Sequence, residues 1–249
     1  MNFAMALIDQ GTILGDVNRV SLGRFDEAIP LFERGVKVVE DLASQDPNDS
    51  NSRGPLATGE IRLAAILRDS DPQRALATYG HALLRLAEDK SNSRARRDEV
   101  RALSGSTYPL QQLGRAAEAR RALDAAFDRL HQLKLYPAAQ VAPGSEAEDA
   151  LYALGDFEAV AGNLPRAVEI YEQLIDRVLA AKPKPETNLA DAADLSRLYA
   201  SLALLQRRAG KADLASVLDA RRLQLWEHWD RKLPSNPFVR RQLTAAHNP

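Results

Sequence analysis

The side chains able to do chemistry in this 249-residue sequence are arginine, carboxylate, histidine and aromatic residues; cysteine is absent. That absence removes disulfides, thiolate metal sites and cysteine nucleophiles together. The four histidines, His81, His131, His228 and His247, show no HExxH or comparable ligand spacing, so they read as helix-surface residues and no metal site is expected. Carboxylates cluster in helix first turns, as in Asp26-Glu27, or lie at helical spacing from arginines, where they stabilise helix ends and exposed faces. Arg96, Arg97 and Arg101 form a basic cluster interleaved with Asp98 and Glu99, a solvated face that an anion or carboxylate could also contact. Trp226 and Trp229, three residues apart on one helical face, read as cover for the end of a core, with a clamp on a partner peptide as the alternative.

Composition narrows the classes of function. Hydrophobic residues make up 45% and charged residues 27%, ordinary values for a water-folding chain. The charges nearly cancel, 33 basic against 34 acidic, which gives no electrostatic push toward phosphate backbones; no nucleic-acid partner is expected. No stretch reaches the ~18 apolar residues of a membrane span, and the N-terminus lacks the pattern of a secretory leader. A cytoplasmic location is the default expectation.

The elements that must position any site are revealed by a repeat. In LYALGDFEAVAGNLPRAVEIYEQLIDRVLAAKP, Leu154-Gly155, Gly162, Ala167 and Tyr171 keep tetratricopeptide offsets; Gly114, Ala119, Leu123 and Ala126 match them, as do Gly210 and Ala215. Gly23 with Ala28 and Phe32 begins the series, and Ala75 with Tyr79 and Ala82 continues it, Ser70 standing in for the turn glycine. The anchors Ala28, Ala75, Ala119, Ala167 and Ala215 are 47, 44, 48 and 48 positions apart. A turn glycine takes the left-handed conformation that ends one helix, and an alanine five places on lets the next helix approach closely.

These offsets predict an all-α fold: a right-handed α-solenoid of five enlarged tetratricopeptide-like hairpins with a C-terminal cap, forming a single domain over 1–249. The units are expected at about 5–46, 54–90, 96–134, 146–182 and 190–231, with the cap at 232–249. The standard unit is about 34 residues. Second helices of about 19 residues, at Asp26–Ser44, Pro72–Lys90, Ala116–Lys134 and Leu164–Lys182, together with the linkers DPNDSNSRGP, DKSNSRAR, 136–145 and KPKPETN, account for the longer period. The ILGDVNRVSLGRFDEA segment predicts a longer turn in the first unit, and Asn236-Pro237 predicts the N-cap and first turn of a short final helix.

The segment WEHWDRKLPSNPFVRRQL, the ILGDVNRVSLG turn and the LRDSDPQRALATY unit resemble the C-terminal tetratricopeptide portion of bacterial serine/threonine protein kinases. The resemblance spans nearly the whole chain and implies a sensor or docking arm, with a kinase domain in cis or in trans as partner. An extracytoplasmic location would follow if the arm belonged to a membrane-anchored kinase. None of the kinase motifs is present: Gly155-Asp156-Phe157 is followed by Glu158 and lies inside a repeat helix. The start at the first helix fits either a piece of a longer protein or a free-standing relative.

In this architecture the first helices line the concave surface. Counting back from the anchors nominates Glu60, Arg101, Tyr108, Gln112, Tyr152, Asp156, Arg197 and Arg208 as groove residues. Two tyrosines among mixed charges suit an extended polar peptide, and the set does not match the lysine and asparagine arrangement that grips a terminal carboxylate. The expectation is therefore a non-catalytic protein-interaction module that takes a protein or peptide partner and needs no cofactor. The alternatives are the regulatory arm of a kinase system and a helical-repeat enzyme using a groove carboxylate.

Overall fold

The computed structural model describes residues 2–45, 50–88 and 92–248, with only the backbone of 50–53. Among them eleven helices follow one another: α1 Asn2–Gly15, α2 Phe25–Gln45, α3 Ser50–Leu67, α4 Pro72–Ala87, α5 Ser93–Gln112, α6 Ala116–Gln132, α7 Glu146–Val160, α8 Leu164–Ala180, α9 Leu189–Arg208, α10 Ala212–Lys232 and α11 Pro237–His247. No strand occurs among the described residues. The fold is all-α, as the repeat predicts, and its helices pair as antiparallel neighbours: α1 with α2, α3 with α4, α5 with α6, α7 with α8 and α9 with α10. The chain divides into two compact units, Met1–Pro137 and Ala138–Pro249, so the first holds three hairpins and the second two hairpins with the cap.

Each hairpin closes as its sequence dictates. Gly23, Gly114, Gly162 and Gly210 all lie at positive φ, between 71° and 83°, where a Cβ would be strained. The fifth turn manages without glycine: Asp71 caps α4, its side chain accepting from the Arg74 amide at 3.1 Å, and Pro72 supplies the first helical residue. All five anchor alanines, Ala28, Ala75, Ala119, Ala167 and Ala215, are at most 1% exposed. Around them the second helices bury Phe32, Tyr79, Leu123, Tyr171 and Leu218.

In the first unit α3 packs against α1, α2 and α5 as well as its partner α4. Its core joins Ile8, Phe32, Leu63, Ile66 and Leu67 across three helices. The long turn after α1 is built as expected: Asp16 Oδ1 accepts from the Asn18 amide at 2.9 Å, and the Leu22 and Arg24 amides close back on Ile13 and Leu14.

Two helix starts differ from expectation, and α6 and α8 end at Gln132 and Ala180, short of the expected Lys134 and Lys182, because both lysines turn into the left-handed region. Helix α3 opens at Ser50, inside the stretch read as a linker, because Leu56 buries against Ala4 and Val39 and the helix runs back from that contact. Helix α5 likewise opens at Ser93, where Asn92 caps the Arg94 amide at 3.0 Å. The Lys90 end expected for α4 and the Asp46–Asp49 part of the first linker lie outside the described residues.

In the second unit the end is closed as a cap. Trp226 is fully buried, donates to Ser196 Oγ at 2.8 Å and meets Phe238 of α11 edge-to-face at 5.6 Å. Trp229 donates to the Pro185 carbonyl at 2.7 Å, which ties the α8–α9 linker to α10. Both tryptophans therefore pack. Asn236 caps α11 by accepting from the Phe238 and Val239 amides at 3.0 and 3.2 Å.

Lys134 and Lys182, just past the ends of α6 and α8, occupy the left-handed region at φ 57° and 56°. A side chain there carries a penalty that glycine does not. Lys182→Gly should relieve roughly 1–2 kcal/mol of left-handed strain against roughly 0.5–1 kcal/mol of extra chain entropy lost by glycine, a net gain that should raise the melting midpoint of the second unit by roughly 2–4 °C. Fluorescence melting reads this directly, since both tryptophans lie in that unit.

Candidate functional site

The eight nominated residues all lie on first helices of hairpins, four in each unit: Glu60 on α3, Arg101, Tyr108 and Gln112 on α5, Tyr152 and Asp156 on α7, and Arg197 and Arg208 on α9. In the first unit α1, α3 and α5 lie side by side, and polar side chains bridge them. Arg62 of α3 donates to Thr12 of α1 at 2.6 Å. The Arg68 guanidinium lies 4.4 Å from the Tyr108 ring centroid, a cation–π stack from α3 to α5. Gln112 donates to Asp69 at 3.2 Å, and Arg101 faces Asp98 one turn back at 3.3 Å.

Glu60 is placed differently from its neighbours in that set. It is 2% exposed and sits between hairpins, where Arg85 Nε of α4 donates to both its oxygens at 3.0 and 3.2 Å. The same guanidinium reaches Glu40 of α2 at 3.2 Å. Burial pushes the Glu60 carboxyl up to about 7, against the pull of Arg85, and the charge of Glu40 adds to the rise.

The second unit brings three of its four residues close together. Tyr152 meets Ser201 of α9 through its hydroxyl and Tyr171 of α8 edge-to-face at 5.2 Å, while the Arg197 guanidinium lies 4.8 Å from its ring centroid. Tyr171 donates to Asp156 at 2.6 Å. Burial, aided by the Asp156 charge, raises the Tyr152 phenol above its ordinary range. Arg208 stands apart, its guanidinium donating at 3.3 Å to the Ala159 carbonyl near the end of α7.

Gly155 makes this cluster possible, because a Cβ there would lie 2.6 Å from the Tyr171 ring. Gly105 plays the same part in the first unit, where a Cβ would meet the Tyr79 hydroxyl at 2.5 Å. A first-helix glycine against a second-helix tyrosine thus recurs, within one hairpin in one case and between successive hairpins in the other.

Offset arithmetic did not find the arginines of the second helices. Arg85, Arg129 and Arg177 each stand ten residues after an anchor alanine. Arg85 holds Glu60 and Glu40, and Arg129 holds Glu99 of α5 at 2.7 Å. That recurring position was visible in the sequence. The burial of Glu148, fully enclosed in the first turn of α7, was not.

No protein-family model matches the sequence, and no curated protein matches it. Among solved structures, MamA is 19% identical over 85% of this chain and 92% of its own, with a TM-score of 0.41. BtubC from P. vanneervenii is 16% identical over 86% of this chain and 94% of its own, with a TM-score of 0.44. At these scores the overlap is too loose to bear on function.

Gly155→Ala should destabilise the second unit by about 1–3 kcal/mol, since the added methyl must displace a packed ring. Combining it with Tyr171→Leu should give less than the sum of the two single losses in a double-mutant cycle. Additive losses would show that the ring contact does not set the spacing of α7 and α8.

Proposed function

We propose that this protein is a non-catalytic interaction module whose first-helix faces bind a protein or peptide partner. The observation that supports it is the character of those faces: Arg62, Arg68, Arg101 and Tyr108 are only partly buried on neighbouring helices, while the second helices turn Phe32, Tyr79 and Tyr171 into the core. Partly exposed tyrosine and arginine offer contact area and forked donors with little further ordering, because stacks such as Arg68 on Tyr108 already restrict them. Tyr152, Asp156 and Arg197 do the same in the second unit, with Leu204 exposed beside them on α9. An extended peptide with mixed polar and apolar side chains suits such a surface. Glu60, enclosed by Arg85, supports the face from beneath rather than meeting a ligand.

The kinase-associated reading is narrower and rests on the resemblance of WEHWDRKLPSNPFVRRQL and LRDSDPQRALATY to kinase repeat portions. In that reading the partner is a serine/threonine kinase domain in cis or in trans. A kinase reading frame adjacent to this one, or an upstream in-frame extension, supports it; a gene standing alone with neither leaves a free-standing adaptor.

The interaction reading is tested by affinity capture from native cell extract with the wild-type chain and with the Arg101→Ala, Tyr108→Ala double variant. Partners retained by the wild type should be depleted at least ~10-fold by the variant, the loss of about 1.4 kcal/mol that two truncated contacts readily supply. Helicity and melting midpoint should stay nearly constant. Equal recovery on both baits would remove the α5 face from the binding surface.

A further inference from the structure

Each unit contains a glutamate that the interaction surface does not use and that is closed off from water beside an arginine shared with a second carboxylate. In the first, Glu60 is 2% exposed and shares Arg85 with Glu40. In the second, Glu148 is 0% exposed and shares Arg197 with Asp194, at 3.8 and 3.5 Å. The arrangement is the same twice over: two carboxylates, one guanidinium, and one of the carboxylates fully enclosed. When both acids are ionised the cluster carries an excess negative charge that a single arginine cannot balance, and the enclosed acid is the one water cannot help.

The charged groups acting on each glutamate are few. On Glu60 they are Arg85 from α4 and Glu40 from α2; α1 and α5, also packed on α3, add none among the described residues. On Glu148 they are Arg197 and Asp194 from α9 and Asp149 from its own helix, with none from α8 among the described residues. Glu148 Oε2 accepts from the Gly144 amide at 2.5 Å, while its Oε1 accepts no hydrogen bond and lies 3.8 Å from the Arg197 guanidinium, so this carboxylate is held by fewer donors than its charge requires.

We propose that these two clusters are proton-responsive joints: each keeps a proton on its enclosed glutamate, and the helix contact around it loosens when that proton leaves. In the first unit the joint ties α2, α3 and α4, and so spans two hairpins. In the second it ties α7, the turn before it and α9, the helices that carry Tyr152 and Arg197. The binding face would therefore be firmer in a mildly acidic medium than in a mildly alkaline one.

Burial raises both glutamates from 4.5 to about 7. An acid raised in this way binds its proton more tightly folded than unfolded. Its contribution is complete below about 4.5 and falls away as the pH rises through about 7. Within that window each joint should open about tenfold more readily per pH unit.

The test uses the full chain. Carboxyl carbon NMR, with the two signals assigned from Glu60→Gln and Glu148→Gln, should show both titrating near 7 rather than near 4.5. Amide hydrogen exchange, corrected for the intrinsic rate, should then show opening of α2–α4 and α7–α9 increasing between about pH 5 and about pH 7. Glu60→Gln should remove the increase in α2–α4 only, and Glu148→Gln in α7–α9 only. Titration of both groups near 4.5, or an unchanged increase in the Gln variants, would overturn the proposal. If a variant fails to fold, the wild-type titration, assigned through its neighbours, still decides.

Discussion

At five places along this chain two helices meet with nothing larger than a methyl group between them. The anchors Ala28, Ala75, Ala119, Ala167 and Ala215 are closed off from solvent, and everything else in each hairpin is spaced from that approach. A larger side chain would separate the helices and break the interdigitation of the rows on either side, as ridge-and-groove packing requires. The glycines at Gly105 and Gly155 extend the same constraint outward, since each clears room for a tyrosine ring from a second helix. Small residues thus set the distance, and aromatic residues fill what the distance leaves.

Close helices also decide the electrostatics. Once α2, α3 and α4 are packed together, the long side chains at their contacts have nowhere to go but against one another, and Arg85 ends between Glu40 and Glu60. Arg129 and Glu99 occupy a comparable place one hairpin on. Such pairs contribute little net stability compared with apolar packing of equal volume, yet removing one partner strands a charge, so they act more on which arrangements are tolerated than on how stable the chosen one is. The polar pairs between hairpins in the second unit, such as Gln206 of α9 donating to Glu172 of α8 at 3.0 Å, follow the same logic without a full charge on both sides.

Much of this was legible in the residues. The turn glycines Gly23, Gly114, Gly162 and Gly210 announce left-handed backbone, and all four have it. Asn236-Pro237 announces a capped helix start, and α11 begins there. Lys134 and Lys182 were not legible, because a left-handed lysine carries no compositional mark and is tolerated only when the surrounding chain fixes it. The start of α3 was hidden for a related reason: the residues before Leu56 read as a polar linker, and their helicity comes from a contact that Leu56 makes with α1 and α2. For the candidate site, counting from the anchors placed all eight residues on first helices but could not separate Glu60, which Arg85 of α4 and Glu40 of α2 enclose, from Arg101 and Tyr108, which stay partly open. Burial of that kind depends on Arg85 and Glu40, on other helices and well outside one helical turn, beyond the reach of any local pattern.

The nominated face residues differ in how firmly they are held, and that difference bears on which of them can change without disturbing the fold. Tyr152 is fixed by Tyr171, Ser201 and Arg197 at once, so its position follows from the core and would survive changes of ligand. Among the described residues, Gln112 and Arg208, near the ends of α5 and α9, are held by a bond to the Asp69 side chain and to the Ala159 carbonyl respectively. Substitution at such positions leaves the anchors and the tyrosine packing untouched. A fold built this way separates the residues that keep hairpins in register from face residues that can vary, which is why the fold can be argued from spacing while the identity of the proposed partner would reside in side chains the spacing does not constrain.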